Sequence, residues 1–152
     1  MHGFVSHYTN KVDAKGRVSI PASFRAVLTR DGFDGLYCFP SPHVDAVDAG
    51  GYALLSQISA RLGGLEALTV DHDLMSTALF GVSEILKVDA EGRVILSETI
   101  RDITGVTNAV TFAGLDYKFQ IWEPERFKVH SAEAMRRAFG TLRGSASREE
   151  AG

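Results

Sequence analysis

Residues 11–20 (KVDAKGRVSI) recur 76 positions later as residues 87–96 (KVDAEGRVIL), with seven of the ten positions identical. Arg25 also recurs at the same offset, as Arg101. Agreement of this extent indicates that the chain contains two copies of one module. A module this short cannot bury enough apolar surface alone, so we expect the two copies to share one core.

Each copy predicts a β-hairpin. The first strand leads into the segment Asp-Ala-Lys/Glu-Gly-Arg, and the second strand leaves from its arginine. A glycine that ends a three-residue loop suits the left-handed backbone conformation of such a turn. The aspartate then lies opposite the arginine and can pair with it across the strands. These turn and pairing residues are Asp13, Gly16 and Arg17 in the first copy and Asp89, Gly92 and Arg93 in the second.

The pattern as a whole predicts an α+β fold. A short helix follows each hairpin, with Pro21 in its first turn in one copy and Ser97 as its cap in the other. A closing strand is predicted at 35–39 and again at 118–122, the latter after a further strand at 108–112. Two such copies can wrap into one pseudo-symmetric β-barrel. The predicted organisation is a first module at 4–50, a helical connector at 51–82, a second module at 83–127, a C-terminal helix at 128–143 and a flexible tail at 144–152.

The net charge of −3 is unevenly distributed. Residues 1–30 carry five basic side chains and one acidic one, whereas residues 31–125 carry five basic and fifteen acidic ones. Residues 126–152 are basic again, with six basic and three acidic side chains. Because solution charges are screened beyond roughly 8–10 Å, a local basic patch attracts phosphate whatever the total charge. The acidic total therefore does not exclude DNA as a partner.

The composition is that of a globular protein of the cytoplasm. Hydrophobic residues make up 45% of the chain, and no apolar run approaches the roughly 18 residues that a membrane span needs. Cys38 is the single cysteine, so no intrachain disulfide can form and a reducing compartment is expected. The first residues also lack the long apolar stretch of a signal peptide. No membrane association is predicted.

The sequence contains no constellation of residues typical of an enzyme. Its five histidines show no metal-ligand spacing, and no nucleophile elbow, phosphate-binding loop or dinucleotide fingerprint is present. Three consecutive residues, Asp71, His72 and Asp73, do not share one face of a helix. We therefore predict a protein that is not an enzyme, with no cofactor, no metal and no small-molecule substrate.

Both copies resemble the MraZ family, whose members carry two SpoVT-AbrB-type domains in a single chain. The resemblance rests on residues 13–17 (DAKGR) followed by 19–25 (SIPASFR) in the first copy. Residues 89–93 (DAEGR) and the segment 119–124 (FQIWEP) carry it in the second. It spans roughly residues 4–143, with the motifs in the expected order and at the expected separation.

The resemblance implies an AbrB-type barrel of swapped hairpins and ring-shaped homo-oligomers, octamers or dodecamers. It also implies sequence-specific binding to double-stranded promoter DNA that contains short direct repeats. The family regulates transcription of the division and cell-wall gene cluster that begins with its own gene. A cytoplasmic, nucleoid-associated location follows from that role.

The first hairpin is the main candidate for the DNA face, because the second has Glu91 where the first has Lys15. Arg17 can contact a phosphate or a guanine edge, and it can equally serve only as the partner of Asp13. The lysines would contact phosphates without reading sequence, and an arginine of the following helix would extend the patch. The candidate DNA-binding residues are Arg17, Lys15, Lys11 and Arg25.

Two other functions are compatible with these modules. An AbrB-type antitoxin binds DNA and neutralises a toxin through a disordered tail, but it usually carries one module per chain. Here both modules lie in one chain, and the segment after Arg143 is short. A structural ring protein without a DNA role is also allowed. Specific binding to promoter DNA separates a regulator from such a ring.

Overall fold

The computed structural model describes the backbone of residues 3–151 and the side chains of residues 3–144. The first module contains β1 (His7–Lys11), β2 (Arg17–Ser19), α1 (Ala22–Asp31), β3 (Leu36–Pro40) and β4 (Val47–Gly50). The connector contains α2 (Tyr52–Leu62) and α3 (Val70–Ser76), which runs into a π-helical turn (Thr77–Gly81). The second module contains β5 (Glu84–Leu86), β6 (Arg93–Ile95), α4 (Glu98–Thr104), β7 (Ala109–Gly114) and β8 (Phe119–Trp122), and α5 (Pro124–Ala151) follows it. The predicted α+β class is confirmed.

The strands form two antiparallel sheets. One has six strands in the order β1-β7-β8-β4-β3-β5, and the other is a two-stranded ribbon of β2 and β6. The first strand of each module pairs with a strand of the other module, β1 with β7 and β5 with β3. The ribbon also takes one strand from each module. The two copies therefore fold together as one unit.

The prediction of a closed barrel is wrong. The six-stranded sheet ends at β1 and β5, and β2 and β6 pair with each other instead of joining these edges. Each hairpin closes through its loop only, as in the bond from the Asp13 amide to the Arg17 carbonyl (2.9 Å). Beyond the first loop, the Asn10 side chain donates a hydrogen bond from its Nδ2 to the Ser19 carbonyl at 2.7 Å. A side chain thus replaces the backbone donor that a continuous sheet would supply.

The main core lies between the six-stranded sheet, the ribbon and the helices α1 and α4. Phe24 of α1 and Ile100 of α4 are fully buried in it. Val18 and Val94, the central residues of the ribbon strands, point into the same core, and each is 1% exposed. Burial of both ribbon valines leaves the other face of β2 and β6 open to solvent, because successive side chains of a strand point to opposite sides.

The opposite face of the large sheet is covered by α2 and by the start of α5. Leu54, Ile58 and Leu62 of α2 pack with aromatic residues of β3, and Phe127 of α5 packs on Trp122. The two oxygens of the Asp31 carboxylate, at the end of α1, accept hydrogen bonds from the first amides of α2. These bonds satisfy amides that a helix start would otherwise leave unpaired and fix the connector on the first module.

Three details differ from the predicted elements. The strands at 35–39 and 118–122 were predicted to be equivalent closing strands of the two modules. In the sheet, β8 and β4 form the central pair and β3 and β7 flank it, so β3 is equivalent to β7 and β8 to β4. The strand β4 was not predicted. The C-terminal helix is also longer than predicted, since α5 runs from Pro124 to Ala151. The side chains of residues 145–151, in the predicted tail, lie outside the described residues.

Candidate nucleic-acid interface

Asp13 organises the loop of the first hairpin. Its Oδ1 accepts hydrogen bonds from the amides of Lys15 and Arg17, both at 2.9 Å, and its Oδ2 accepts from Arg17 Nε at 2.7 Å. Gly16 has a φ of 82° and donates its amide to the Asp13 carbonyl at 3.0 Å. The bond from the Arg17 amide, more than any other contact, lowers the pKa of Asp13 below its usual 3.8. The carboxylate therefore stays ionised and holds the Arg17 side chain.

The second loop repeats this geometry. Asp89 Oδ1 accepts from the amides of Glu91 and Arg93, both at 2.9 Å, and Asp89 Oδ2 accepts from Arg93 Nε at 2.9 Å. Gly92 has a φ of 79°. The bond from the Arg93 amide is again the largest cause that lowers the pKa of the aspartate. The two loops share one sequence pattern, Asp-Ala-Lys/Glu-Gly-Arg, and adopt the same hydrogen-bonded structure.

The ribbon brings the two arginines onto one open face. In the register of β2 and β6, Arg17 lies opposite Ile95 and Ser19 lies opposite Arg93. Since Val18 and Val94 between them point into the core, these four side chains share the outer face. Ser19 and Ile95 are exposed, and the two arginines are partly exposed. The face therefore carries two guanidinium groups two residues apart along a two-stranded ribbon.

The two ends of this face differ in charge. Arg17 has Asp13 as its single ion-pair partner among the side chains that the structure describes. Arg93 has two partners, since its Nη2 also lies 3.2 Å from Glu91 Oε2. The hydrogen bond to Asp89 is the largest cause that raises the pKa of Arg93, and the negative charges of Asp89 and Glu91 raise it further. The Arg17 end is accordingly the more positive of the two.

Arg25 and Arg101 each lie against the loop of the other module. Arg25 packs over Gly92, and its Nη1 donates to the Glu91 carbonyl at 3.1 Å. Arg101 lies beside Gly16, where its Nη2 would be 3.0 Å from a Cβ at that position. Both loop glycines are therefore covered by arginine side chains from the partner module.

The four predicted DNA-binding residues are not all brought together. Lys15 and Arg17 share the first loop, and Lys15 is exposed at its tip. Lys11 is exposed at the end of β1, two residues before Asp13. Arg25 lies at the second loop instead, and within the described structure its buried Nε has no hydrogen-bond partner.

Sequence reasoning missed the contribution of the second module to this face. The alternation in residues 93–95 (RVI) places Arg93 and Ile95 on one side of a strand, which was a usable signal. The pairing of β2 with β6 joins segments 76 residues apart, and no local pattern indicates it. The recurrence of Arg25 as Arg101, 76 positions later, was the sequence signal that the two arginines occupy equivalent places in the two modules.

No group of three metal-ligating side chains suited to a metal ion occurs among the described residues. Within the same part of the chain, no helix combines the length and apolar character needed to cross a membrane.

Comparison with known proteins decides the family. A family model for the MraZ protein, whose description likens it to antitoxins, matches residues 79–142. The Transcriptional regulator MraZ of Methylocella silvestris is 58% identical over 99% of this chain and 92% of the relative. The proteins of the same name from Beijerinckia indica (58%, over 90% of this chain and 84% of the relative) and Xanthobacter autotrophicus (49%, over 99% and 96%) are also similar. This chain belongs to the MraZ family.

The matches to MraZ proteins cover both hairpins of the candidate interface. The family model includes the second loop and α4 but begins after the first module. The relatives from Methylocella silvestris and Xanthobacter autotrophicus extend over nearly the whole chain, including the Arg17 loop. The resemblance inferred from the two repeated motifs is therefore confirmed over nearly the whole chain.

Proposed function

We propose that this chain regulates transcription by binding DNA through the outer face of the β2–β6 ribbon. Its relatives are named transcriptional regulators, and the ribbon offers the geometry that such a role needs. The major groove of B-DNA admits a two-stranded β-ribbon, and several DNA-binding folds read sequence in this way. The observation that carries the proposal is the placement of Arg17 and Arg93 on one solvent-facing side, with both valines between them buried.

Each basic residue receives a distinct role in this proposal. Arg17, oriented by Asp13, contacts a guanine edge or a phosphate, because its two terminal nitrogens can form a bidentate contact. Lys15 and Lys11 contact phosphates and position the ribbon without reading sequence. Arg25, which was predicted to extend this patch, has contacts that favour a positioning role at the second loop.

Glu91 makes the second loop the weaker phosphate site. Its side chain is 71% exposed, and its carboxylate partly neutralises Arg93 and repels a nearby phosphate. The ribbon then binds DNA mainly with its Arg17 end, as the sequence predicted, while the second module completes the surface.

The resemblance to MraZ extends the proposal to the assembly and the target. The exchange of first strands between modules supports a pseudo-symmetric AbrB-type fold of swapped hairpins. Homo-oligomeric rings, octamers or dodecamers, would place one ribbon at each direct repeat of the promoter. The proposed target is the division and cell-wall gene cluster that includes the protein's own gene. The proposed location of the protein is the cytoplasm, in association with the nucleoid.

A fluorescence-anisotropy titration tests this function. The labelled duplex is the DNA just upstream of the protein's own gene, and a scrambled duplex of equal composition is the control. We expect saturable binding that prefers the native duplex and weakens steeply as salt rises, because phosphate contacts release counterions. Equal binding to both duplexes, or none at low salt, would contradict the proposal and favour a structural ring or a toxin-neutralising protein.

A further inference from the structure

Ile95 is an apolar side chain on the otherwise polar outer face of the ribbon. It is 60% exposed and belongs to none of the three buried clusters that the described residues form. Val94, the preceding residue of the same strand, already points into the core. Ile95 could turn inward only if the register of β6 slipped by one residue, which would turn Val94 out to solvent. The exposure of Ile95 therefore follows from the register of the ribbon.

The neighbours of Ile95 are the proposed DNA-contacting groups. Arg17 lies directly opposite it in the ribbon, which places the two Cβ atoms about 5 Å apart. Ile95 Cγ2 would lie 3.8 Å from a Cβ at Gly16, so the side chain also reaches the first loop. The positive charge of Arg17 opposite it, and of Lys15 in the first loop, favours an anionic partner over a second apolar surface.

We propose that Ile95 reads thymine by contacting its C5-methyl group in the major groove. The methyl group is the one apolar feature that a base pair presents in that groove, and aliphatic side chains are the groups that recognise it. A spacing of about 5 Å from Arg17 corresponds to one or two base-pair steps of about 3.4 Å. Arg17 and Ile95 would thus contact neighbouring base pairs. This inference rests on the proposed function of the ribbon.

The equivalent position at the other end of the ribbon lacks this property. Ser19 lies opposite Arg93 as Ile95 lies opposite Arg17. A serine hydroxyl can donate to or accept from several bases and shows no preference for a methyl group. The thymine contact is therefore made at one end only, and Ser19 supplies a matched control position.

The test replaces thymine by deoxyuridine, which removes the C5-methyl and leaves the pairing unchanged. Binding of the wild-type protein is measured by anisotropy on the native upstream duplex and on duplexes with a single deoxyuridine at each thymine in turn. We expect that deoxyuridine at one thymine position in each ribbon site weakens binding about fourfold. This is the change in affinity that follows from the loss of one buried methyl-sized group. The variant Ile95→Ser should lose about the same factor on the native duplex and become insensitive to deoxyuridine, while Ile95→Val and Ser19→Ala should keep the sensitivity.

Three outcomes would overturn the inference, each in a different way. Native DNA preferred over scrambled DNA, but with no effect of any deoxyuridine, would leave the regulator standing and remove the thymine contact. Ile95→Ser with unchanged deoxyuridine sensitivity would assign the contact to another residue. A lower molecular mass of Ile95→Ser by light scattering, with wild-type DNA affinity, would show that Ile95 contacts a second copy of the chain. Failure of the proposed function is a separate outcome, in which the wild type does not prefer the native duplex over the scrambled one.

Discussion

The Arg25 side chain of the first module lies directly over Gly92 in the second hairpin loop. Its Nη1 also donates to the carbonyl of the preceding residue, Glu91, at 3.1 Å. The loop that carries Arg93 is thus shaped by an arginine from the other module. Glycine at position 92 is required twice, by its φ of 79° and by this close approach.

This relationship predicts that Gly92→Ala destabilises the protein more than a positive φ alone would. The new Cβ would overlap with Arg25 Cδ and with two of the guanidinium nitrogens. We expect a loss of about 3 kcal/mol, the sum of left-handed strain and overpacking. Gly32→Ala is the control, since its φ is 82° but a Cβ there meets no atom within 4 Å, and it should cost about 1 kcal/mol. Urea unfolding gives both values, and equal losses in the two variants would contradict the account.

The loop aspartates predict a dependence of stability on acid. Hydrogen bonds from the following arginines hold the pKa values of Asp13 and Asp89 below 3.8 in the folded protein. Their contribution is therefore fully present above about pH 4 and is lost as the pH falls through the folded pKa. The double variant with Asp13→Asn and Asp89→Asn should lose less stability between pH 5 and pH 2 than the wild type, and Asp13→Asn alone should fall between them. Thermal melting across that range measures this, and a wild-type pH slope in the double variant would refute it.

Two ion pairs of different burial predict different effects on stability. Asp48 is 1% exposed and accepts hydrogen bonds from Lys118 Nζ (2.9 Å) and Gln120 Nε2 (2.8 Å). Asp48→Ala leaves both donors without their acceptor, and we expect it to cost about 3 kcal/mol. Lys128→Ala breaks an exposed pair with Glu125 and should cost under about 0.5 kcal/mol. Urea unfolding at neutral pH checks both, and a loss below 1 kcal/mol for Asp48→Ala would contradict the role of this network.

The charge difference between the loops predicts opposite effects of two substitutions on DNA binding. Lys15→Glu gives the first loop the acid of the second and should weaken binding and flatten its salt dependence. Glu91→Lys releases Arg93 from its second partner and adds a phosphate contact, so binding should strengthen and the salt slope should steepen by about 1. Titrations at several salt concentrations measure both. Effects of the same sign in the two variants would show that the loops do not contact DNA in the proposed way.

The sequence could predict the loops because their geometry is local. Aspartate, glycine and arginine within five residues determine the amide bonds, the left-handed turn and the ion pair, and the repeat presents the same set twice. The capping of α4 by Ser97 is local in the same way, with 3.2 Å between the Ile100 amide and Ser97 Oγ. Each of these features follows from residues that are close in the chain.

The strand β4 could not be predicted in this way. Asp48 and Gly50 interrupt the apolar pattern of a buried strand, and an acid in a buried strand is unfavourable unless it is paired. Its partners, Lys118 and Gln120, lie about 70 positions further on and become neighbours only in the sheet. The ribbon of β2 and β6, and with it the place of Ile95 beside Arg17, depends on contacts of the same long range.

The measurement that tests the central claim most directly is the affinity of Arg17→Ala for the upstream DNA, with the mass of the assembly determined by light scattering on the same sample. Arg17 is part of an exposed ribbon face, so its removal should leave the fold and the assembly intact while specific binding falls about tenfold or more, as the loss of one good base contact implies. Lys128→Ala is the control and should bind as the wild type does. If Arg17→Ala unfolds or dissociates while its folded fraction binds with wild-type affinity, Arg17 only maintains the hairpin and the ribbon is not the DNA-binding face.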